Sequence, residues 1–477
     1  MEKLRTGVGM SLGEQICMIL NLSFPAILAQ LSSIIMEYID ASMVGHLNSR
    51  ASASIGLVSS STWIFGGLIM AAAVGYNVQI AHKVGAGKEK EARSIAKQGL
   101  IIAFIYSVIL MSVAVLISGP LPGFLGGSSE IAADASAYFL VYALFIPIKQ
   151  INSSATGMLQ CSGNMKLPSI LHVFMCFLDV IFNMFFIFET RVVTLFGLSI
   201  KVYGAGMGVK GAAIGTALAE AVIMLILLYY LFFRSEKLRL RPGEKLRFQA
   251  DCQKLAVKIA FPVAIEQIII CSAYVMSTKI VAPLSDTAIA ANSFSITAES
   301  LCYMPGYGIS QAATTLIGQS FGAKRDDMTK KLGYLLVAMG MFLMALSGAL
   351  MYMAAPWMIG ILSPDPAIRS LGTRVLRIEA FAEPFYGAAI VANGVFRGAG
   401  DTLVPSCMNF ISMWVVRIPL MAYLAGRFGL VGVWIGMCTE LIFRGCIFIV
   451  RLRGKKWHTI KQLMTKCEQI ANELQKN

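Results

Sequence analysis

Phe24-Pro-Ala-Ile-Leu-Ala-Gln-Leu-Ser-Ser-Ile-Ile-Met-Glu-Tyr-Ile-Asp-Ala-Ser-Met-Val-Gly-His-Leu47 is apolar enough to sit in a bilayer. Yet it holds Pro25 near its start and two carboxylates, Glu37 and Asp40, near its end. A carboxylate inside a membrane costs about 2.5–3.5 kcal/mol on insertion scales, so such a residue is read first as functional. The same plan recurs from Phe261 to Leu284, where Glu266 stands in the place of Ala29 and Ser277 in the place of Asp40. Two copies of one membrane helix, with the acid moved, decide how the rest of the chain is read.

Around this stretch the composition is that of a polytopic helical membrane protein. The chain has 477 residues, of which 57% are hydrophobic and 14% charged, against roughly 25% charged in soluble domains. Apolar runs of about 20 residues, each long enough to cross a bilayer, recur throughout. A β-barrel would show short alternating segments instead. The net charge of +14 would suggest nucleic acid in a soluble protein. Here the basic residues gather in loops between apolar runs, which the positive-inside rule explains. The ten cysteines are scattered, without a Cys-x-x-Cys pair, so neither a disulfide framework nor a metal site is expected. The N-terminus lacks the pattern of a cleavable signal peptide.

Twelve spans are expected, at 16–47, 51–80, 94–118, 132–160, 166–188 and 209–233, then 254–284, 288–320, 331–356, 369–396, 404–425 and 430–452. Basic residues cluster at 81–98, 234–258, 321–331 and 451–456, all on one side. The rule puts that side, and both termini, in the cytoplasm of a plasma (inner) membrane protein. An offset of 237 residues (261 minus 24) pairs Phe24-Pro25 with Phe261-Pro262, Gln30 with Gln267, Gly85-Ala86 with Gly322-Ala323, and Gly157 with Gly394. It also pairs Pro168-Ser169 with Pro405-Ser406, with no gap in between. After span five the offset falls to 221, pairing Gly211 with Gly432, because Glu189–Gly204 is extra and reads as a small outer hairpin.

Each half has an even number of spans, so the halves enter the membrane in the same orientation as parallel repeats. The expected fold is all-α and polytopic: twelve transmembrane helices in two six-helix lobes related by a pseudo-twofold axis, forming a V. The expected units are an N-lobe at 1–233, a cytoplasmic linker at 234–253, a C-lobe at 254–453 and a cytoplasmic tail at 454–477. Such a pair of lobes encloses a central cavity and permits alternating access by rocking.

At this point the motifs resemble those of the MATE family, multidrug and toxic compound extrusion transporters. The resemblance rests on Tyr38-Ile-Asp-Ala-Ser-Met-Val-Gly-His-Leu47, Val84-Gly-Ala-Gly-Lys-Glu-Lys-Glu-Ala92 and Glu299-Ser-Leu-Cys-Tyr-Met-Pro-Gly-Tyr-Gly308. Ala313-Thr-Thr-Leu-Ile-Gly-Gln319 and Gly394-Val-Phe-Arg-Gly-Ala-Gly-Asp-Thr-Leu-Val-Pro405 extend it over nearly the whole chain. It implies export of small cationic amphipathic compounds in exchange for Na⁺ or H⁺, with no cofactor beyond that coupling ion. It also implies a first-span acid at Asp40, a span-five pair at Asp179 and Asn183, and a span-six hydroxyl at Thr216. In the family the span-five pair is usually Asn then Asp or Asn, whereas Asp comes first in this chain. The C-lobe acids of the NorM-like branch align with Ile270 and Tyr386, which suggests the DinF-like side.

Asp40, Asp179, Asn183 and Thr216 all carry oxygen, which suits a hard cation such as Na⁺. Two nearby carboxylates also repel each other, and sharing one proton relieves that, which suits H⁺. Either ion fits these residue types. The competing structural reading is hydrogen bonding between helices. Glu37 lies three residues before Asp40 and could line the cavity or sit at its rim. In the second half Glu266, Glu299, Glu379 and Glu383 offer counter-charge for a cationic substrate, unless they pair locally with Arg417 or Arg377. Arg417 itself reads as a structural counter-ion. Tyr38 and Tyr386 are expected at the substrate cavity, because aromatic faces attract cations. Trp457 is expected as an interfacial anchor.

Gly206-Met-Gly-Val-Lys-Gly211 fits G-x-G-x-x-G but lies in an outer loop, so no nucleotide is expected. No phosphate-cradling G-x-x-x-x-G-K-[ST] loop or hydrolase motif is present, so the chain reads as neither ATP-driven nor an enzyme. The expectation is a monomer in the bilayer that binds no nucleic acid. The alternative reading is a flippase or exporter of a lipid-linked or polar metabolite, which would need Lys149 and Arg417 to face the cavity. A passive channel or scaffold is disfavoured by the intramembrane acids and the repeat.

Overall fold

A computed structural model describes residues 9–195, 198–239, 248–454 and 457. The first half holds α1 (Leu12–Gly45), α2 (Ser49–Gly85), α3 (Glu89–Ser118), the short α4 (Leu121–Phe124), α5 (Ser129–Leu144), α6 (Ile146–Cys161) and α7 (Lys166–Ile187). It continues with β1 (Glu189–Leu195), β2 (Leu198–Ala205) and α8 (Gly208–Tyr229). The second half holds α9 (Ala250–Val281), α10 (Asp286–Gly322), α11 (Asp326–Leu362), α12 (Pro366–Glu379), α13 (Glu383–Ala399), α14 (Leu403–Phe410) and α15 (Ile418–Arg453). Twelve crossings result: α5 and α6 form one span bent by 47°, and α12 and α13, 237 residues on, are the equivalent pair in the second half. The last two are divided within α15 at Gly429, whose φ of 58° breaks the helix.

The repeat is visible in the helix ends. Ser11 starts α1 with a capping box closed by Glu14. Asn48 and Ser285 stand 237 residues apart, and each caps its helix by accepting from the third backbone N–H, of Ala51 and Ala288. β1 and β2 form the expected antiparallel hairpin, with Val193 opposite Ile200. α10 is as long as the lipid-facing α11, but much of its polar content (Ser295, Glu299, Ser310, Thr315, Gln319) is buried against its neighbours. The wider π-helical turn at Ile411–Arg417 joins α14 to α15. It brings residues five apart onto one face, so that Ser412 and Arg417 both reach Glu440.

The halves meet along three helix pairs, α1 with α10, α2 with α9 and α2 with α10. At the end carrying the basic loops the two halves are closed against each other. His82 Nε2 donates to the Gly398 carbonyl at 2.8 Å, Gln79 Nε2 to that of Cys252 at 3.1 Å, and Gln319 Nε2 to that of Cys161 at 2.8 Å. Of the expected linker, 240–247 lies outside the described residues, as does most of the expected tail. Trp457 is not an interfacial anchor. It is 1% exposed, packs 5.9 Å from the Phe396 ring and donates to the Leu452 carbonyl at 3.0 Å.

Candidate functional site

The first half gathers its four expected residues by close helix packing. Gly211 and Gly215 share a face of α8, and each lies against α7: a β-carbon on Gly211 would stand 2.3 Å from the Phe186 carbonyl oxygen. One on Gly215 would stand 2.1 Å from Asn183 Oδ1. This close approach sets α8 directly against Asn183, with Thr216 the next residue along α8. Asn183 Nδ2 donates to Asp40 Oδ1 at 2.8 Å and to Asp179 Oδ2 at 3.0 Å. One amide thus bridges two carboxyl groups, one from α1 and one from α7. Both Asp179 and Asn183 are fully buried. Asp179 Oδ1 and Asn183 Oδ1 find no hydrogen-bond partner, a costly state for buried oxygens unless something else reaches them. Among the described residues no three His, Cys, Asp or Glu side chains stand together as a metal site. A cation held here would therefore rely on amide and hydroxyl oxygens beside the two carboxylates.

Asp40 and Thr216 open onto a cavity of about 1210 Å³ between the halves. The cavity continues away from the basic end along Ser52, Ile55 and Ser59 of α2. Every cation on its wall has a carboxylate partner. Lys149 Nζ is 2.8 Å from Glu220 Oε1, Arg397 is 3.6 Å from Glu266, and Arg444 Nε donates to Glu440 at 2.7 Å. Glu37 and Asp40 are the lining acids without a cationic partner among the described residues.

Glu266 lines the cavity but is fully engaged, accepting from Asn409 at 2.7 Å, Asn393 at 3.0 Å and Ser406 at 3.1 Å. Tyr386 also lines it. Three expected lining residues do not. Tyr38 turns to the α1–α10 seam, where its hydroxyl donates to the Thr297 carbonyl at 2.5 Å. Glu299 and Glu383 each lie within one helical turn of Tyr303 or Tyr386, whose rings stand 5.6 Å apart on the cavity wall. With Glu379 they form a buried acidic group, 7%, 1% and 0% exposed. Arg417 is indeed a counter-ion, 3.7 Å from Glu440.

Glu220 and Glu440 escaped the sequence reading. Glu220 falls one helical turn beyond Thr216, and Glu440 precedes Arg444 by one turn; these i,i+4 spacings were the available signals.

Paired parallel repeats around a polar cavity with intramembrane acids define a multi-pass membrane transporter. The MatE family model matches the chain twice, over residues 25–185 and 262–423, in the 237-residue register of the repeat. The chain belongs to this family of MATE transporters. It is 29% identical over 444 residues to the "Probable multidrug resistance protein NorM" of Thermotoga maritima, covering 92% of each chain. It is 24% identical to the "Uncharacterized transporter YisQ" of Bacillus subtilis, covering 92% of this chain and 94% of that one. Among solved structures it resembles a MATE in complex with MaL6 (TM-score 0.84, 18% identity, 93% and 97% coverage). It also resembles an outward-facing multidrug resistance MATE family transporter (TM-score 0.83, 19% identity, 91% and 94% coverage). The relatives with a functional name are called NorM, in contrast to the DinF-like side that the motifs suggest, and the family is what both share.

Proposed function

We propose that the protein is a secondary active multidrug exporter, moving small cationic amphipathic compounds outward in exchange for Na⁺ or H⁺. The carrying observation is the Asp40–Asn183–Asp179 bridge with its two unpartnered oxygens, opening on a cavity whose cations are all paired. If the basic end is cytoplasmic, the conformation described is closed inward. In this reading a coupling ion bound at Asp40, Asp179, Asn183 and Thr216 shifts the preferred state, by as much as its affinity differs between the two states. Glu37 and Asp40 supply counter-charge to the drug, and the aromatic wall at Tyr386 its apolar and cation–π contacts. The protein then works in the inner membrane with both termini cytoplasmic.

The flippase reading is disfavoured. Of the two cations it needs, Lys149 lines the cavity bound to Glu220, and Arg417 does not line it. The test is efflux of a fluorescent cationic dye from right-side-out vesicles loaded with it, driven separately by an imposed Na⁺ gradient and an imposed pH gradient. Dye movement under neither gradient sinks the antiporter reading.

A further inference from the structure

The second half carries a basic groove that the transport cavity does not use. It lies at the end opposite the basic loops, where α11 finishes and α12 begins. Arg369, Ser370, Thr373, Arg374 and Arg377 form one stripe of α12, and with Tyr352 of α11 they line a groove of about 700 Å³. The opposite face of α12 is buried through Gly372, Val375, Leu376 and Glu379. The stripe is therefore left facing outward by the packing of the helix.

Nothing among the described residues neutralises it. None of the three arginines takes part in an ion pair. Asp365, the neighbouring acid, spends its Oδ1 on the backbone N–H of Ala367 at 2.8 Å. Arg377 Nε donates to the Tyr352 carbonyl at 3.3 Å, and its guanidinium lies 5.1 Å from that ring. Those contacts orient the guanidinium without supplying negative charge. Exposed apolar side chains flank the groove, Trp357 and Phe381 at 70% and 67% exposed, as on a lipid-facing surface. Arg377 lies eight positions beyond Arg369, a rise of about 12 Å along the helix, so the stripe runs from the outer end of α12 into a span that must cross the apolar layer. Arginine at that depth is costly unless it meets counter-charge. Guanidinium forks match phosphate oxygens in geometry, and Ser370 and Thr373 add hydroxyl donors.

We propose that the Arg369–Arg374–Arg377 groove binds a phosphate-bearing anion at the outer membrane surface, either the headgroup of an anionic phospholipid or free phosphate. The site is separate from the cavity for cationic compounds and stands whether or not the transport reading does.

The test uses the intact, delipidated protein in detergent, titrated with phosphatidylglycerol or phosphatidylcholine and followed by native mass spectrometry. Arg369→Gln/Arg374→Gln removes two charges that form no ion pair among the described residues, and the glutamine at 369 keeps a planar polar group near Gly360, over which the Arg369 guanidinium packs, so its melting temperature should match wild type. Phosphatidylglycerol should bind it about tenfold or more weakly, the worth of one charge-assisted hydrogen bond. Phosphatidylcholine should bind the wild type more weakly than phosphatidylglycerol. Displacement of phosphatidylglycerol by millimolar inorganic phosphate assigns the site to the free anion, and its persistence assigns it to the lipid. Unchanged phosphatidylglycerol binding by the double variant overturns the proposal. If that variant does not fold, Arg369→Lys and Arg374→Lys decide, since each keeps the charge and loses the fork. Weaker binding by either supports the site, and wild-type binding by both overturns it.

Discussion

Gly85 and Gly322 occupy equivalent positions in the two halves, and each packs against the backbone of the other's helix. A β-carbon on Gly85 would lie 2.1 Å from the Gln319 carbonyl oxygen, and one on Gly322 would lie 2.0 Å from that of His82. His82 and Gln319 are themselves repeat equivalents, so the pseudo-twofold axis passes through this contact. It leaves no room for a side chain on either helix at the closed basic end.

Gly85→Ala or Gly322→Ala should therefore disfavour the closed state by about 1–3 kcal/mol through overpacking. That is about 5–150-fold in the conformational equilibrium. Spin labels at Lys90 and Asp326 should report a longer distance in either variant. A distance distribution identical to wild type would mean that the contact does not hold the ends together.

Gly215 sets the position of the Asn183 amide. Gly215→Ala should push Asn183 off Asp40 and Asp179, leaving buried carboxyl oxygens without their donor at a cost of about 1–3 kcal/mol. Ion-driven dye efflux should fall while the protein remains folded and monodisperse. Undiminished efflux would show that the bridging amide is dispensable.

Lys149 and Glu220 form a pair at the cavity edge, with side chains 22% and 13% exposed. Lys149→Met alone strands Glu220 and should cost about 3 kcal/mol, near the low end for a broken buried pair because water in the cavity reaches it. Lys149→Met/Glu220→Gln should regain most of that stability, as read by thermal unfolding in a double-mutant cycle. A double variant that is stable, yet loses all transport, would instead point to Lys149 as an anion receptor and revive the flippase reading.

The loop after α10 contains Lys324 at φ 59°, the one non-glycine residue at positive φ among the described residues. Its equivalent in the first half is Gly87, at φ 74°. The left-handed conformation costs an L-residue about 1–2 kcal/mol, of which the greater freedom of an unfolded glycine returns about 0.4–1 kcal/mol. Lys324→Gly should raise the melting temperature by the difference, and a lowered melting temperature would mean that the lysine side chain makes a compensating contact.

The spans, the repeat and the hairpin were legible because each leaves a long signature: apolar runs, a constant offset, alternation around a turn. The grouping of Asp40, Asp179, Asn183 and Thr216 was legible only through the family resemblance, since four polar residues on three helices carry no register of their own. What escaped was which way a side chain turns. A membrane helix is apolar on most faces, so periodicity does not separate the cavity side from a helix contact. Hence Tyr38 was assigned to the cavity and proves to bridge the α1–α10 seam. Glu299 and Glu383 were assigned there too and prove to lie off the wall. Ion pairs across helices are no easier to foresee, since Lys149 and Glu220 are 71 residues apart. Trp457 reads as an anchor because it stands near the end of the last span, but its ring has a buried site against Phe396.

Dye efflux by Asp40→Asn, Asp179→Asn and wild type, in vesicles with an imposed Na⁺ or pH gradient, tests coupling at this pair most directly. Either substitution should leave the protein folded, because an amide fills the same volume, and should abolish the gradient-driven component of efflux. Gradient-driven efflux equal to wild type in both variants would contradict coupling at Asp40 and Asp179.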